Sequence, residues 1–378
     1  MFIFTDKTFI NNLKNNLTTR IKHELKYKAD IALEAGPWSV THYKSPAVSG
    51  NPHDYFSEGP YWWPDPQNPS GPYIRRDGQH NPDIFTMHRK AIEEMSDTVL
   101  LLSQAGFFLD NQEYINRAVS LIDTWFINDS TRMNPHLEYG QAIRGVCDGR
   151  GIGIIETKTL LSVIHAAGFI EEFGVFKEEL SHLKEWFAQY LKWMNESKKG
   201  IDEKNWYNNH SVWWTTQAIA FSVFTDNTQI FNECIDKFKN DIIENQLNSE
   251  GAFEDELHRT RSYTYSLFVL EGAALICEVA YHSKIDLWNY KNTSGKGIAS
   301  AILYMAPYFA NMFLWENEQI NLKDCFEESL AFQLAALRLS VPDYENLNEL
   351  RRKNKYLINN SSNIGSLSLL QGFRNEKR

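Results

Sequence analysis

The chain has 378 residues, 43% of them hydrophobic and 23% charged, with a formal net charge of -10. That composition describes a folded, globular chain, and its length is met by large single-core architectures as well as by two or three smaller domains. The acidic balance argues against nucleic acid as a partner, because phosphate binding calls for a basic surface. The four cysteines, Cys147, Cys234, Cys277 and Cys325, are far apart and form no C-x-x-C pair, so they read as buried thiols rather than a zinc knuckle or a disulfide framework. The apolar start is interrupted by Asp6 and Lys7 and is too short for the hydrophobic region of a signal peptide. No run of about eighteen apolar residues occurs elsewhere. The expectation is a chain with no membrane partner, working in the cytoplasm, or in the periplasm or outside the cell if a leader had been trimmed.

Residues 5–35 carry apolar side chains at helical spacing (Phe9, Leu13, Leu17, Ile21, Leu25), which predicts one or two amphipathic helices. The pattern then stops. From about 36 to 82 there are nine prolines among many Gly, Asn and Asp, forming a long irregular segment too rich in aromatic residues to read as disordered. Asn81-Pro82 is expected to cap a helix from about Asp83 to Gln104, with Ile84, Met87, Ala91, Met95, Val99 and Leu102 on one face. Helical patterns follow at about 112–127, 155–172, 175–196, 210–223, 228–245, 258–282, 296–313, 322–339 and 343–357, and no strand-period run competes with them. Short turns such as Thr225-Asp226-Asn227 alternate with long loops at 128–154, 197–209 and 246–257. That alternation is what a ring of helical hairpins produces. The expected fold is all-α, an incomplete α/α toroid over residues 1–378 as a single domain.

Chemistry-bearing residues gather in three places. Asn208-Asn209-His210-Ser211 stands at a helix start before Trp213-Trp214. A bland reading makes Asn209 the helix cap and His210 an ordinary first-turn residue. Functionally, an Asn amide can donate to a carboxylate and a neutral His can accept a carbon-bound proton. Arg259-Thr-Arg261-Ser-Tyr263-Thr-Tyr265 enters the long helix that continues through Leu267 and Leu270. Arg261 and Tyr265 share a face, Arg259 lies earlier, and a nearby guanidinium makes a tyrosine more competent in proton transfer. As plain structure these are solvated arginines and partly packed tyrosines. The third place is the aromatic and basic loop material: Tyr61-Trp62-Trp63 with Arg75, Arg76 and His80, then Asn134, His136, Tyr139 and Gln141, and Gly149-Arg150-Gly151. Indole faces stack on sugar rings and arginines pair with carboxylates, although the same residues also pack loops.

No phosphate-binding glycine loop, dinucleotide fingerprint, H-E-x-x-H or G-x-S-x-G occurs. The pairs His53-Asp54 and His136-Leu-Glu138 are weak as metal ligands. Glu254-Asp255-Glu256 admits two readings, the paired carboxylates of a glycoside hydrolase or acidic residues favoured at a helix start.

Asn-Asn-His-Ser, followed about fifty residues later by Glu-Leu-x-Arg-Thr-Arg-Ser-x-x-Tyr, resembles the alginate lyase superfamily of α/α-toroid polysaccharide lyases. Gly-Pro-Tyr-Trp-Trp-Pro-Asp-Pro and Met-Asn-Pro with Gly-Arg-Gly are similar to segments of that family, so the likeness covers roughly 40–340. It implies cleavage of an acidic polysaccharide or oligosaccharide, alginate or polymannuronate first and glucuronan second, by β-elimination without a metal or organic cofactor. Carried over, the catalytic residues are Asn209, His210, Arg259 and Tyr265. Substrate binding would fall to Trp62, Trp63, Asn134, His136, Tyr139, Gln141, Arg150, Asn208 and Arg261. The family's arginine lies a residue further from the tyrosine, where this chain has His258, which leaves Arg261 as a second candidate beside Arg259. A glycoside hydrolase on the same fold and a non-catalytic carbohydrate-binding protein are the alternatives.

Overall fold

A computed structural model describes residues 2–321 and 329–339. Cys325, residues 322–328 of the helix expected at 322–339, and the whole helix expected at 343–357 lie outside the described residues. Within them the fold is mostly helical and divides into two compact units, one of 2–204 and 221–227, the other of 205–220, 228–321 and 329–339.

The first unit opens with α1 (Lys7–Asn15) and α2 (Thr19–Ala32). Asp6, the residue that interrupts the apolar start, is the N-cap of α1 and accepts from Phe9 N at 2.8 Å. Thr18 caps α2 in the same way. Around α3 (Met87–Leu109) pack α2, α4 (Gln112–Ile122) and α5 (Leu160–Glu171). Ala91, Ile92, Met95, Val99 and Leu102 of α3 are fully or almost fully buried. Each large aliphatic among them contributes about 1.5–3 kcal/mol by leaving water. The helix starts later than the sequence pattern predicts, because the backbone before it is held by the loop. Asn81 Oδ1 accepts from Asp83 N (2.9 Å) in an Asx turn while its Nδ2 donates to Trp62 O (2.8 Å), and Phe85 N donates to Glu58 Oε2 (2.6 Å). At the other end Asp110, with φ 54°, closes α3 and Asn111 caps α4.

A π-helical turn (Asp123–Ile127) extends α4, a 3-10 segment (Gly151–Thr159) precedes α5, and α6 (Lys177–Glu196) and α7 (Lys198–Lys204) complete the unit's helices. Four short strands lie in segments that periodicity reads as loop. Strand β1 (Phe56–Glu58) pairs in parallel with β4 (Tyr139–Ala142), and β2 (Trp62–Trp63) pairs antiparallel with β3 (Ile74–Arg75).

In the second unit, α11 (Ser262–His282) is the core helix, with α10 (Glu254–Leu257), α12 (Ile298–Ala310) and α13 (Leu330–Arg338) against it. The first turns of α8 (Asn209–Phe224) dock on α11 through polar anchors: Trp213 Nε1 donates to Phe268 O (3.1 Å) and Thr216 Oγ1 to Gly272 O (3.0 Å). The Trp213 and Phe268 rings stack at 4.8 Å. Helix α9 (Thr228–Lys237) runs into a π-helical stretch, Phe238–Gln246. By length and composition Gly151–Glu171 and Ser262–His282 could each cross a membrane, and 72% of each window is buried inside the fold, as in core helices.

Helices α11 and α13 are clamped by a buried ion pair. Arg338 donates through Nε to Glu278 Oε2 (3.0 Å) and through Nη2 to Oε1 (2.5 Å), His282 Nε2 stands 3.0 Å from Oε1, and Glu278 is 2% exposed. Removing one partner strands the other, so Arg338→Ala is expected to lower stability by about 3 kcal/mol in urea titrations. Burial pushes the Glu278 carboxyl up, but the hydrogen bonds and charges of His282 and Arg338 outweigh it and hold the group below its ordinary value. Its folded value being depressed, the clamp's contribution is present at neutral pH and fades as pH falls from the ordinary carboxylate range through the lowered value. The gap between wild type and Arg338→Ala should therefore narrow in acid.

Candidate active site

In the second unit the site is built on the start of α8. Asn208 is the cap: its Oδ1 accepts from His210 N (3.2 Å) and its carbonyl from Ser211 N (3.1 Å). This frees Asn209, one residue inside, for other work. Its backbone N and its Nδ2 both donate to Glu256 Oε1, each at 2.7 Å. Both residues are 1% exposed. Asn209 Oδ1 and Glu256 Oε2 are buried without a hydrogen-bond partner. His210 is half-buried, and Gln246 Nε2 steadies the turn by donating to Ser211 Oγ (2.8 Å).

Glu256 lies in α10, whose single turn faces its three acidic residues differently. Glu254 and Asp255 are exposed, Glu254 accepting from Asn248 Nδ2 at 2.6 Å, while Glu256 points inward. After α10 the chain turns so that the Arg259 guanidinium lies 3.9 Å over the Tyr265 ring, with Nη1 3.8 Å from Glu256 Oε2. Burial pushes the Glu256 carboxyl above its ordinary value, against the opposing pull of the two Asn209 donors, Arg259 and His210. Arg261 caps α11, its carbonyl accepting from Tyr265 N (2.9 Å). Tyr263 is core, 1% exposed, whereas Tyr265 is half-buried. The His258 side chain is 75% exposed beside Glu254. The second unit thus brings Asn209 and Arg259 to Glu256 and Tyr265 under Arg259, with His210 next to Asn209.

The first unit holds the other candidates. Arg150 donates through Nε to Gln141 O (2.9 Å) and through Nη2 to Gln141 Oε1 (3.0 Å), under the ring of Trp62 at 5.6 Å. Gln141 adopts φ 50°, a left-handed conformation that non-glycine residues rarely take, and its N–H is fixed by Ser57 Oγ (2.8 Å). Ser57 and Tyr55 in turn donate to buried Glu156 (2.6 and 2.9 Å). Gly149 and Gly151 flank the arginine because a Cβ there would strike the carbonyls of Glu138 and Lys199. Burial pulls the Arg150 guanidinium down to about 10, so it stays cationic at neutral pH, and among the described residues no carboxylate forms an ion pair with it.

Asn134 Nδ2 donates to Asp54 Oδ1 (2.6 Å) and His136 Nε2 stands 3.2 Å from the same oxygen. Tyr139 lies beside His136, its ring 5.8 Å from Lys199 Nζ. Trp63 is fixed by its indole N–H on Gln79 O (2.9 Å), with Arg76 5.3 Å from the ring. Among the described residues no group of three or more His, Cys, Asp or Glu is set to hold a metal ion.

Two residues that the sequence reading weighed in other roles and did not assign to the site organise these groups. Glu256 was one of three adjacent acids with nothing to single it out, although it heads the Glu-Leu-x-Arg motif. Asp54 is 4% exposed and its two partners lie some eighty residues away, a pairing no local signal carries.

A family model described as alginate lyase matches residues 39–315. Two curated alginate lyases of Pseudomonas fluorescens, one from strain SBW25, are 28% identical over 97 residues, a stretch that spans 25% of this chain and 26% of theirs. An alginate lyase from Bacteroides ovatus has a crystal structure similar over 92% of this chain and 94% of that one, at 30% identity and a TM-score of 0.86. Alginate lyase A1-III from Sphingomonas species A1 shares the fold at 17% identity and a TM-score of 0.55, over 90% and 91% of the two chains. A further structure of A1-III, complexed with a tetrasaccharide, gives 16% identity and a TM-score of 0.57 over the same shares. These structures are α/α toroids, and the mostly helical fold described above is of that class. With the family model matched over most of its length and the Bacteroides ovatus structure over nearly all of it, the chain belongs to the alginate lyase family.

Proposed function

We propose that this protein is a polysaccharide lyase that cleaves alginate, polymannuronate first, by β-elimination, leaving a 4,5-unsaturated uronate end. Its substrate is an acidic polysaccharide or oligosaccharide, in keeping with the tetrasaccharide bound by the A1-III lyase. The observation that carries the reading is the chain of contacts from Asn209 to Glu256, from Glu256 to Arg259 and from Arg259 to Tyr265, with His210 adjoining Asn209.

The C5 proton of a uronate is weakly acidic while the neighbouring carboxylate is fully charged. Asn209 and Arg259 neutralise that carboxylate. One Asn209 Nδ2 hydrogen is engaged by Glu256, which leaves the second for substrate. Each well-placed donor to the charge that develops contributes about 3–4 kcal/mol. A base then takes the C5 proton, the electron pair forms the C4=C5 bond, the C4–O4 bond breaks, and Tyr265 gives a proton to O4. In a mannuronate link the C5 proton and O4 lie on the same side, so Tyr265, starting as phenolate, takes the C5 proton and then gives it to O4, with His210 tuning it. In a guluronate link they lie on opposite sides, and His210 is the base. Arg261 and Asn208 support this group from the helix starts, while Trp62, Trp63, Asn134, His136, Tyr139, Gln141 and Arg150 are assigned to binding sugar units.

The test is incubation with polymannuronate, polyguluronate, glucuronan and oxidised cellulose while following ultraviolet absorbance. Polymannuronate should give the fastest rise, and new reducing ends without absorbance would contradict the lyase reading. Arg150, cationic and with only neutral acceptors, is assigned a uronate carboxylate. Arg150→Ala is accordingly expected to raise KM about 10- to 100-fold with kcat little changed.

A further inference from the structure

Glu256 plays no part in the proton transfers above, yet its burial is costly. A carboxylate at 1% exposure with one oxygen lacking any hydrogen bond is poorly compensated for the water it has lost. Arg259 Nη1, at 3.8 Å, attracts it without a close hydrogen bond. A group needed only to close the first turn of α8 would require no more than the bond from Asn209 N. The second bond, from Asn209 Nδ2, has no such explanation. It fixes the rotation of the amide, and the charge behind it draws the guanidinium to the same place.

We propose that Glu256 is a positioning residue for the elimination: its carboxylate sets the Asn209 amide and the Arg259 guanidinium in the orientation in which both meet the substrate carboxylate. The proposal rests on the lyase reading of the same residues. It differs from a structural role in what replacement does. Burial raises the carboxyl's affinity for its proton, so the charged form lowers stability at neutral pH, and removing the charge relieves that. A residue kept for stability behaves in the opposite way.

The experiment compares wild type with Glu256→Gln, Asn209→Ala and the double variant at neutral pH. Glutamine retains an oxygen that can accept both Asn209 donors, while an NH2 replaces the second oxygen and removes the charge that faces Arg259. Glu256→Gln is expected to unfold at or above the wild-type temperature while kcat falls about 10- to 100-fold and KM moves less than about threefold. Because Glu256 acts partly through Asn209, the double variant should be slower than Asn209→Ala by much less than the factor Glu256→Gln produces alone. Loss of activity that follows loss of folded protein, or costs that multiply in the double variant, would overturn the proposal. Should wild type turn over none of the polyuronates, the lyase reading fails by itself, and positioning is then read from binding of a tetramannuronate by calorimetry. A Kd about two- to threefold weaker in Glu256→Gln would support it and an unchanged Kd would overturn it.

Discussion

Replacing Tyr265 by Phe is expected to lower kcat on polymannuronate about 1,000- to 10,000-fold, the upper part of what a positioned acid–base group contributes. The change removes a single hydroxyl. The ring remains, and with it the contact under the Arg259 guanidinium at 3.9 Å, so the fold and the arginine's placement should survive. Thermal unfolding should accordingly be unchanged while the rate of absorbance increase collapses. In a mannuronate link the same oxygen, starting as phenolate, takes the C5 proton and passes it to O4, which is why the expected loss exceeds that for a group serving in one step only. KM should stay within a few-fold, since the hydroxyl acts on atoms that carry no charge in the ground state. If the Phe variant kept more than about a tenth of the wild-type rate, Tyr265 would be packing rather than chemistry.

The second large effect is expected at Arg259. Arg259→Ala should reduce kcat about 100- to 1,000-fold, as the carboxylate beside C5 loses a donor aimed at the charge that grows there. Two things are lost together, because Glu256 then has no guanidinium beside its second oxygen. Lys at this position should restore little, since an ammonium cannot both lie flat over Tyr265 and reach the carboxylate with a fork of donors. Arg261→Ala is the control. Arg261 lies at the cap of α11, its carbonyl holding Tyr265 N, and its loss should cost far less in kcat than the loss of Arg259. A pair of rate constants from the two alanine variants separates them, and a larger effect at Arg261 would reverse the assignment.

Much of this was legible in the sequence wherever helical periodicity did the work. The stripe Ala91, Met95, Val99 and Leu102 announces α3, and the polar stretch before Trp213-Trp214 announces the start of α8. Boundaries slipped where a side chain was already engaged at long range. Asn81 looks like a cap but spends its amide on Trp62 O, and the helix waits until Met87. The strands β1 to β4 are two to four residues long, too short for an alternating pattern to register.

The site divides the same way. Asn209, His210 and Tyr265 stand next to helix starts, where sequence order and spatial order agree. The cap, however, is Asn208, a shift of one residue that determines which amide turns toward Glu256. Which of three consecutive acids faces inward depends on the turn of α10, and whether Arg259 or Arg261 meets Tyr265 depends on the path between α10 and α11. Neither is a property of residue types. The acidic pair on which hydrolysis would have relied, Glu254 and Asp255, is exposed to solvent. Likewise the hold of Gln141 on Arg150 needs a left-handed backbone at a residue that does not favour it.

The central claim is that the glycosidic bond is broken by elimination rather than by water. Its most direct measurement is the mass and absorbance of tetramannuronate products made in isotopically heavy water. Elimination should give one unsaturated and one saturated fragment per cleavage, the unsaturated one lighter than the corresponding saturated sugar by one water and absorbing in the ultraviolet. Two saturated fragments per cleavage, together heavier than the substrate by one solvent water and without ultraviolet absorbance, would contradict the account.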